Sequence, residues 1–234
     1  MTIKKNFSEW PLGKLSSALD RPELALLKQA GYTWNDPYDI VEEFERQVAE
    51  FAGSKYAVAV DCCSHGLFLS LKYLNASETI TIPKNTYVSV AMQIKHAGCQ
   101  VKFEDLTWSG VYQLKPYPVW DGAVRWRSGM YVGGLQVVSF QIKKRIPIGR
   151  GGMILTDDKH AYNWLKKARH DGRDMSTYYV HDDFEFAGWH YYMTPEDAAR
   201  GILLMSAIPG DYDDSGNSNT YVDLSKKTLF KNEN

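Results

Sequence analysis

The stretch Leu135–Gly152, LQVVSFQIKKRIPIGRGG, decides how this chain is read. It begins as an apolar run, Leu135, Val137, Val138 and Phe140, which suits a buried strand. Three cations follow directly, Lys143, Lys144 and Arg145. A Gly149-Arg150-Gly151-Gly152 turn then leads into a second apolar run, Met153–Leu155. A buried strand that hands over to a basic cluster has two readings. One is a solvated basic hairpin that blunts a sheet edge. The other is a nucleophilic lysine whose ammonium is destabilised by neighbouring cations, so that a free amine exists near neutral pH. The second holds only if other segments supply the remaining parts of a site.

The bulk properties narrow the field. A chain of 234 residues suits one large domain, or a domain with an appendage. At 44% hydrophobic and 24% charged residues it can bury a core. A formal net charge of −1 gives no overall basicity to draw it to nucleic acid or a membrane surface. No apolar stretch approaches the roughly 20 residues of a membrane span. The start, MTIKKNFSEWPLGK, has no signal-peptide core. Cys62, Cys63 and Cys99 make no disulfide framework, so a reducing cytoplasm is the expected setting. The 15 tyrosines and 7 tryptophans point to aromatic-lined surfaces for a ligand or partner.

Outward from the central stretch, strands and helices alternate. Helices are expected at Arg21–Ala30, Tyr38–Ala52 (apolar at Ile40, Val41, Phe44, Val48 and Phe51, stopped by Gly53), Leu67–Leu74, Tyr87–Ala97 and Ala161–Arg169. A further helix, Thr194–Ser206, carries an N-cap threonine, a first-turn proline and first-turn acids. Strands are expected at Tyr56–Val60, Thr79–Ile82, Cys99–Phe103 and Leu135–Phe140. The alternation predicts an α/β domain with a mostly parallel sheet. Residues 105–119 read as a compact connection and Asp171–Phe186 as a surface loop. Gly210–Thr220 reads as a flexible acidic linker, followed by a short strand at Tyr221–Leu224.

In open α/β sheets, ligands gather at the carboxyl ends of strands. Four strand exits carry polar groups. Cys62, Cys63 and Ser64 precede the helix at Leu67, where free amides and a hydroxyl N-cap make a phosphate site, or a plain N-cap. Tyr87 follows Ile82 and can cover a planar ligand, or serve as a core or rim tyrosine. Asp121 stands directly behind Val119-Trp120, a costly placement for a carboxylate without a partner, which a cationic ring nitrogen would resolve. The lysines follow Phe140. A phosphate cradle, an aromatic cover, a carboxylate for a ring nitrogen and a lysine amine are together what pyridoxal 5'-phosphate requires.

These residues resemble, in order from about Trp34 to Met205, the DegT/StrS family of pyridoxal phosphate-dependent sugar aminotransferases. Tyr38–Gly53 with Val58-Ala59-Val60 is similar to the family's FE-containing helix and following strand. Cys62-Cys63-Ser64-His65-Gly66-Leu67 stands in the place of its small-Gly-Thr-x-Ala-Leu phosphate turn. Ile82-Pro83-Lys84-Asn85-Thr86-Tyr87 matches its Pro-x-x-Thr-aromatic segment, Gly98–Asp105 its Gly-Ala-x-Pro-x-Phe-x-Asp strand, and Asp121-Gly122-Ala123 its Asp-Ala-Ala. Ser139-Phe140-Gln141-Ile142-Lys143-Lys144 with Gly149-Arg150-Gly151-Gly152 resembles Ser-Phe-(His/Gln)-x-x-Lys followed by Gly-Glu-Gly-Gly. Arg169–Arg173 resembles its Arg-x-His-Gly-Arg region, and Gly188–Ala199 its Gly-x-Asn-x-Arg-Met segment.

The resemblance implies a fold type I, aspartate aminotransferase-like three-layer α/β/α architecture. It selects Lys144 over Lys143 as the Schiff-base lysine. It implies that Asp121, Tyr87, Cys63, Ser64, Ser139 and His190 bind the cofactor, with His190 in the place of an asparagine that reaches the partner subunit's cofactor phosphate. It further implies a homodimer with shared sites and transfer from a glutamate-like donor to a keto sugar, a nucleotide-linked one.

The departures from the family pattern are specific. Cys63 replaces a turn glycine, Val124 a polar residue, Arg150 a glutamate and Tyr192 an arginine. The chain is short for the family, which predicts a cofactor-binding large domain over 1–205 and a linker with a remnant C-terminal domain over 206–234. A second reading follows, a degenerate member that binds the cofactor or dimerises without transamination. A third, a metal phosphohydrolase, rests on His170-Asp171 and His181-Asp182.

Overall fold

The computed structural model describes residues 21–208 and 210–231. In chain order its elements are α1 (Pro22–Gln29), α2 (Tyr38–Ala52), β1 (Tyr56–Val60), α3 (Cys63–Tyr73), β2 (Ile80–Pro83), α4 (Val88–His96), β3 (Val101–Glu104), β4 (Tyr112–Gln113), β5 (Val119–Asp121), β6 (Leu135–Ser139), β7 (Gly152–Thr156), α5 (Lys159–Ala168) and α6 (Pro195–Ala207). Strands β1, β6 and β7 are buried at nearly every position. That is the pattern of strands covered on both faces. On one face Val58, Val60, Val137 and Ile154 meet Leu67 and Leu71 of α3 and Leu165 of α5. On the other, Ala57, Ala59, Val138, Met153 and Leu155 meet Phe44 and Val48 of α2 and Ile202 of α6. The result is the expected α/β/α sandwich.

The five-stranded sheet has the order β1-β7-β6-β5-β4, and β2 and β3 pair as a separate parallel ribbon. The sheet is mixed where the alternation suggested a mostly parallel one. β5 and β6 are parallel, whereas β7 runs antiparallel to both β6 and β1, and β4 antiparallel to β5. A parallel return from β6 to β7 needs a crossover, usually helical. The intervening residues 140–151 hold no helix and fold back on themselves through a Gln141–Gly149 bridge. The basic segment therefore joins two interior strands of the sheet and does not blunt an edge strand.

Helix boundaries follow local chemistry. Ahead of α2, the Asp39 carboxylate accepts from the backbone N–H groups of Asn35 and Asp36, and Gly53 ends the helix in the left-handed region at φ 81°. The Thr194 hydroxyl caps α6 by accepting from the Asp197 N–H. Gly201 lets α6 approach α2 closely, because a Cβ there would meet the Phe44 ring at 2.5 Å. α3 starts four residues earlier than its apolar pattern indicates, with Cys62 as N-cap, whose Sγ accepts from the His65 N–H.

Two sequence expectations change. Gly210–Thr220, expected as a flexible linker, and Tyr221–Leu224, expected as a strand, instead lie across the core together with the residues up to 231, in part as short 3-10 turns. They are pinned by the Arg125–Asp214 ion pair and by Leu224 and Phe230, both buried in the core. His170 and His181 do not share a site. His170 is buried, stacked on Tyr192, and its pKa is pulled down to about 3 by burial and then by Arg169 and Lys166, while His181 lies in an exposed turn. No helix of the described residues is long and apolar enough to cross a membrane.

A buried ionic knot ties three elements together. Glu45 of α2 accepts from the Ala59 N–H of β1 (2.8 Å), from Lys166 Nζ of α5 (2.9 Å) and from the guanidinium of Arg169. Burial opposes its charge, but Arg169 and Lys166 outweigh that and hold the carboxyl below its ordinary range. Glu45→Gln keeps the acceptor for Ala59 and strands a buried guanidinium. It should destabilise the protein by about 3–5 kcal/mol in urea unfolding; a loss under about 1 kcal/mol would contradict this role.

Candidate active site

The carboxyl ends of β1, β5 and β6 and the exit of β2 open on one cavity of about 520 Å³. Asp121 ends β5, and pairing of β5 with β6 sets it level with Val137. Its carboxylate is 6% exposed, with Oδ2 accepting from the Tyr112 hydroxyl (2.7 Å) and Oδ1 from the Ala123 N–H (2.9 Å). The Tyr112 hydroxyl also bonds Thr86 Oγ1. Burial pushes the Asp121 carboxyl above its ordinary range, opposed by these two donors and by the positive charge of Lys144. Among the described residues no cation is hydrogen-bonded to it.

Lys144 lines the cavity from the turn after β6, its N–H bonded to the Gln141 carbonyl. Lys143 lines it too but is exposed, and Lys144 is the lysine whose charge reaches Asp121 and Cys63. On the opposite side the first turn of α3 faces the cavity through Cys62, Cys63 and Ser64. Burial pushes the Cys63 thiol well above its ordinary pKa, so it stays neutral. Ser64 Oγ and Ser89 Oγ are 2.8 Å apart, which brings the N-termini of α3 and α4 together. Two sets of free helix amides then face the same space. Gly152 of β7 lets the start of α3 sit against the sheet, because a Cβ there would lie 2.5 Å from the Cys63 backbone nitrogen. Tyr87 precedes α4 and leaves its ring 59% exposed at the mouth.

Six of the seven expected residues, Lys144, Asp121, Tyr87, Cys63, Ser64 and Ser139, thus line one cavity. His190 does not. It lies exposed on the segment before α6, with Nδ1 2.7 Å from Asp171 Oδ2. Sequence reading missed Trp108, Thr220 and Tyr221, which also line the cavity, and Tyr112 behind Asp121. The signal for Trp108 and Tyr112 was an aromatic residue in a segment read as a connection, while Tyr221 opened an expected strand and Thr220 gave none. It also left Arg150 unexplained. The Arg150 guanidinium bonds Asp61 Oδ2 (2.6 Å), and Asp61 Oδ1 bonds His65 Nδ1 (2.7 Å). Burial opposes the His65 charge, but Asp61 lifts its pKa to about 9, and the ring stacks on Tyr191 at 3.7 Å. Asp61, Cys62 and His65 are the one set among the described residues close enough to ligate a metal. Both Asp61 oxygens are already committed, and a helix N-terminus disfavours a cation.

The donor set fits pyridoxal phosphate. A buried carboxylate without a cation suits a pyridinium nitrogen, paired helix N-termini suit a phosphate, Tyr87 offers an aromatic face, and Lys144 supplies the amine.

Comparison with known proteins agrees with this geometry. The family model of the DegT/DnrJ/EryC1/StrS aminotransferase family matches residues 20–116 and 126–210. The chain is 29% identical over 166 residues to the spore coat polysaccharide biosynthesis protein SpsC of Bacillus subtilis (strain 168), covering 51% of this chain and 42% of that protein. It is 27% identical over 219 residues to GDP-perosamine synthase of Escherichia coli O157:H7, covering 74% and 59%. The chain spans about half the length of these curated relatives. The fold is similar to that of the sugar aminotransferase CalS13 from Micromonospora echinospora, with a TM-score of 0.65 at 17% identity, over 80% of this chain and 65% of that one.

Replacing Asp121 tests the buried charge. Below the ordinary value of 3.8 the carboxyl is protonated folded and unfolded. As pH rises, the unfolded chain releases its proton more readily, so the wild type loses stability. Asp121→Asn keeps a neutral partner for Tyr112, whose hydroxyl can turn to Thr86. Its melting temperature should equal or exceed that of the wild type near about pH 7.5, with the gap closing toward about pH 3. A melting temperature well below wild type at neutral pH would contradict it.

Proposed function

The chain belongs to the DegT/DnrJ/EryC1/StrS aminotransferase family, and from that premise we propose that it is a pyridoxal phosphate-dependent aminotransferase acting on a keto sugar, one carried on a nucleotide, with a glutamate-like amino donor. The observation that carries the proposal is that Lys144 and the buried Asp121 share one cavity. Asp121 would hold the pyridinium nitrogen, the amides of α3 and α4 with Ser64 the phosphate, and Tyr87 the ring face. Ser139, at the end of β6, and Cys63 complete the wall. When bound, pyridoxal phosphate supplies an electron sink for negative charge developing at the donor's α-carbon. The Lys144 Nζ takes the proton from that carbon and returns it, a task for an amine held beside the reacting centre. The carboxylate on β5 keeps its charge once a cation faces it, because an opposite charge offsets the penalty of burial.

We extend the proposal to assembly. His190 lies outside the cavity of its own chain, and the neighbouring loop exposes Tyr178, Tyr179 and Val180. Two copies associating over this surface would let His190 donate to the cofactor phosphate of the partner. The nucleotide-linked acceptor draws support from the likeness to GDP-perosamine synthase. The three free cysteines suit a reducing cytoplasm.

The test is the donor half of the reaction. The protein loaded with pyridoxal phosphate should convert glutamate to 2-oxoglutarate, and Lys144→Ala should lower that rate by at least about 10²-fold. Light scattering of the same sample should show a dimer. Cofactor binding without 2-oxoglutarate formation would favour the degenerate reading, and a loaded monomer would overturn the shared-site assembly.

A further inference from the structure

Residues 211–231 lie beyond the part of the chain that the family model matches, yet they wall the cavity. They form a strap held by long-range bonds. Arg125 grips both carboxylate oxygens of Asp214 (3.0 and 2.9 Å), each side chain about a tenth exposed. The Ser215 N–H donates to the Val124 carbonyl, the Gly110 N–H to the Gly216 carbonyl and the Leu224 N–H to the Lys84 carbonyl. Leu224 and Phe230 are buried at 2% and 1% exposure, so the far end is anchored in the main core.

Between these anchors sits Tyr221. Its ring stacks on Trp108, with centroids 5.8 Å apart and planes at 23°, and meets Tyr87 edge-on at 6.5 Å. Its carbonyl accepts from Asn85 Nδ2 (3.0 Å), and the Asn85 carbonyl accepts from Trp108 Nε1 (2.9 Å). Strap, Trp108 and the exit of β2 are thereby locked together. Burial, then the negative charge of Asp121, raises the Tyr221 phenol above its ordinary range, so it stays a neutral hydroxyl beside Asp121 and Cys63. An aromatic ring fixed by stacking and by its own backbone loses little further freedom on meeting a ligand.

We propose that Tyr221 is a cofactor-covering residue, brought by the strap beside Tyr87 so that the two rings close the cavity over pyridoxal phosphate. This rests on the aminotransferase reading and deepens it. The strap supplies a wall that the matched family segments do not.

The test titrates the full chain with pyridoxal phosphate, followed by the visible band and tryptophan fluorescence, in wild type, Tyr221→Ala, Tyr221→Phe and Leu229→Ala. Leu229 is an exposed strap residue and serves as control. Tyr221→Ala should weaken binding by ~tenfold or more, with Tyr221→Phe within ~threefold of wild type and Leu229→Ala unchanged. Iodide should quench the bound cofactor's fluorescence more strongly in Tyr221→Ala only, a change that a merely structural tyrosine would not produce. Equal affinity in wild type and Tyr221→Ala, or a loss that phenylalanine does not restore, overturns the inference and leaves the aminotransferase reading intact. A wild type that does not bind pyridoxal phosphate overturns both.

Discussion

The Asp121 carboxylate is held at the end of β5 by the Tyr112 hydroxyl and the Ala123 N–H, in a place where no described cation reaches it by hydrogen bond. Two neutral donors orient a buried charge without compensating it. Much of the surrounding structure serves that placement. β4 exists as two residues that pair with β5 and set Tyr112 opposite Asp121, and Thr86 meets the same hydroxyl from the β2 exit. β6 lies beside β5 in parallel and delivers Lys144 to the same cavity. A site that keeps an anion in reserve and brings an amine near it is built for a ligand with its own positive charge.

Most of the layout was legible in the chain. The α2 pattern of Ile40, Val41, Phe44 and Val48, and the Thr194-Pro195 start of α6, are local signals, and both helices stand where they predict. The strand exits at Cys62, Tyr87, Asp121 and Lys144 were legible because a buried run ending in a polar group is also local. Strand direction was not. β7 reverses because residues 140–151 hold no helix, and nothing in an apolar run states the direction of its neighbour. The strap was misread for a related reason. Asp214 is 89 residues from Arg125, and Leu224 and Phe230 belong to no periodic apolar pattern, so only the folded chain shows what they touch.

The cavity rim carries a set of charges that belong together. Arg150 stands where the family pattern has a glutamate, and Asp61 faces it at 2.6 Å with His65 on its other oxygen. With His65 protonated below about pH 9, one carboxylate bridges two cations at the mouth of the cavity. The inverted charge at residue 150 is therefore accommodated within the chain. Lys144 and Arg150 stand six residues apart on the connection between β6 and β7, the first near Asp121 and the second bonded to Asp61. This separates the charge that faces Asp121 from the charge that shapes the rim.

Lys144, among all the lysines, is the one proposed to meet the cofactor. Incubation with pyridoxal phosphate, reduction with borohydride and peptide mapping by mass spectrometry reads this directly. A pyridoxyl group should appear on Lys144 and none on Lys143, one residue away. A label on Lys143, or one spread over surface lysines with Lys144 unmodified, would contradict it.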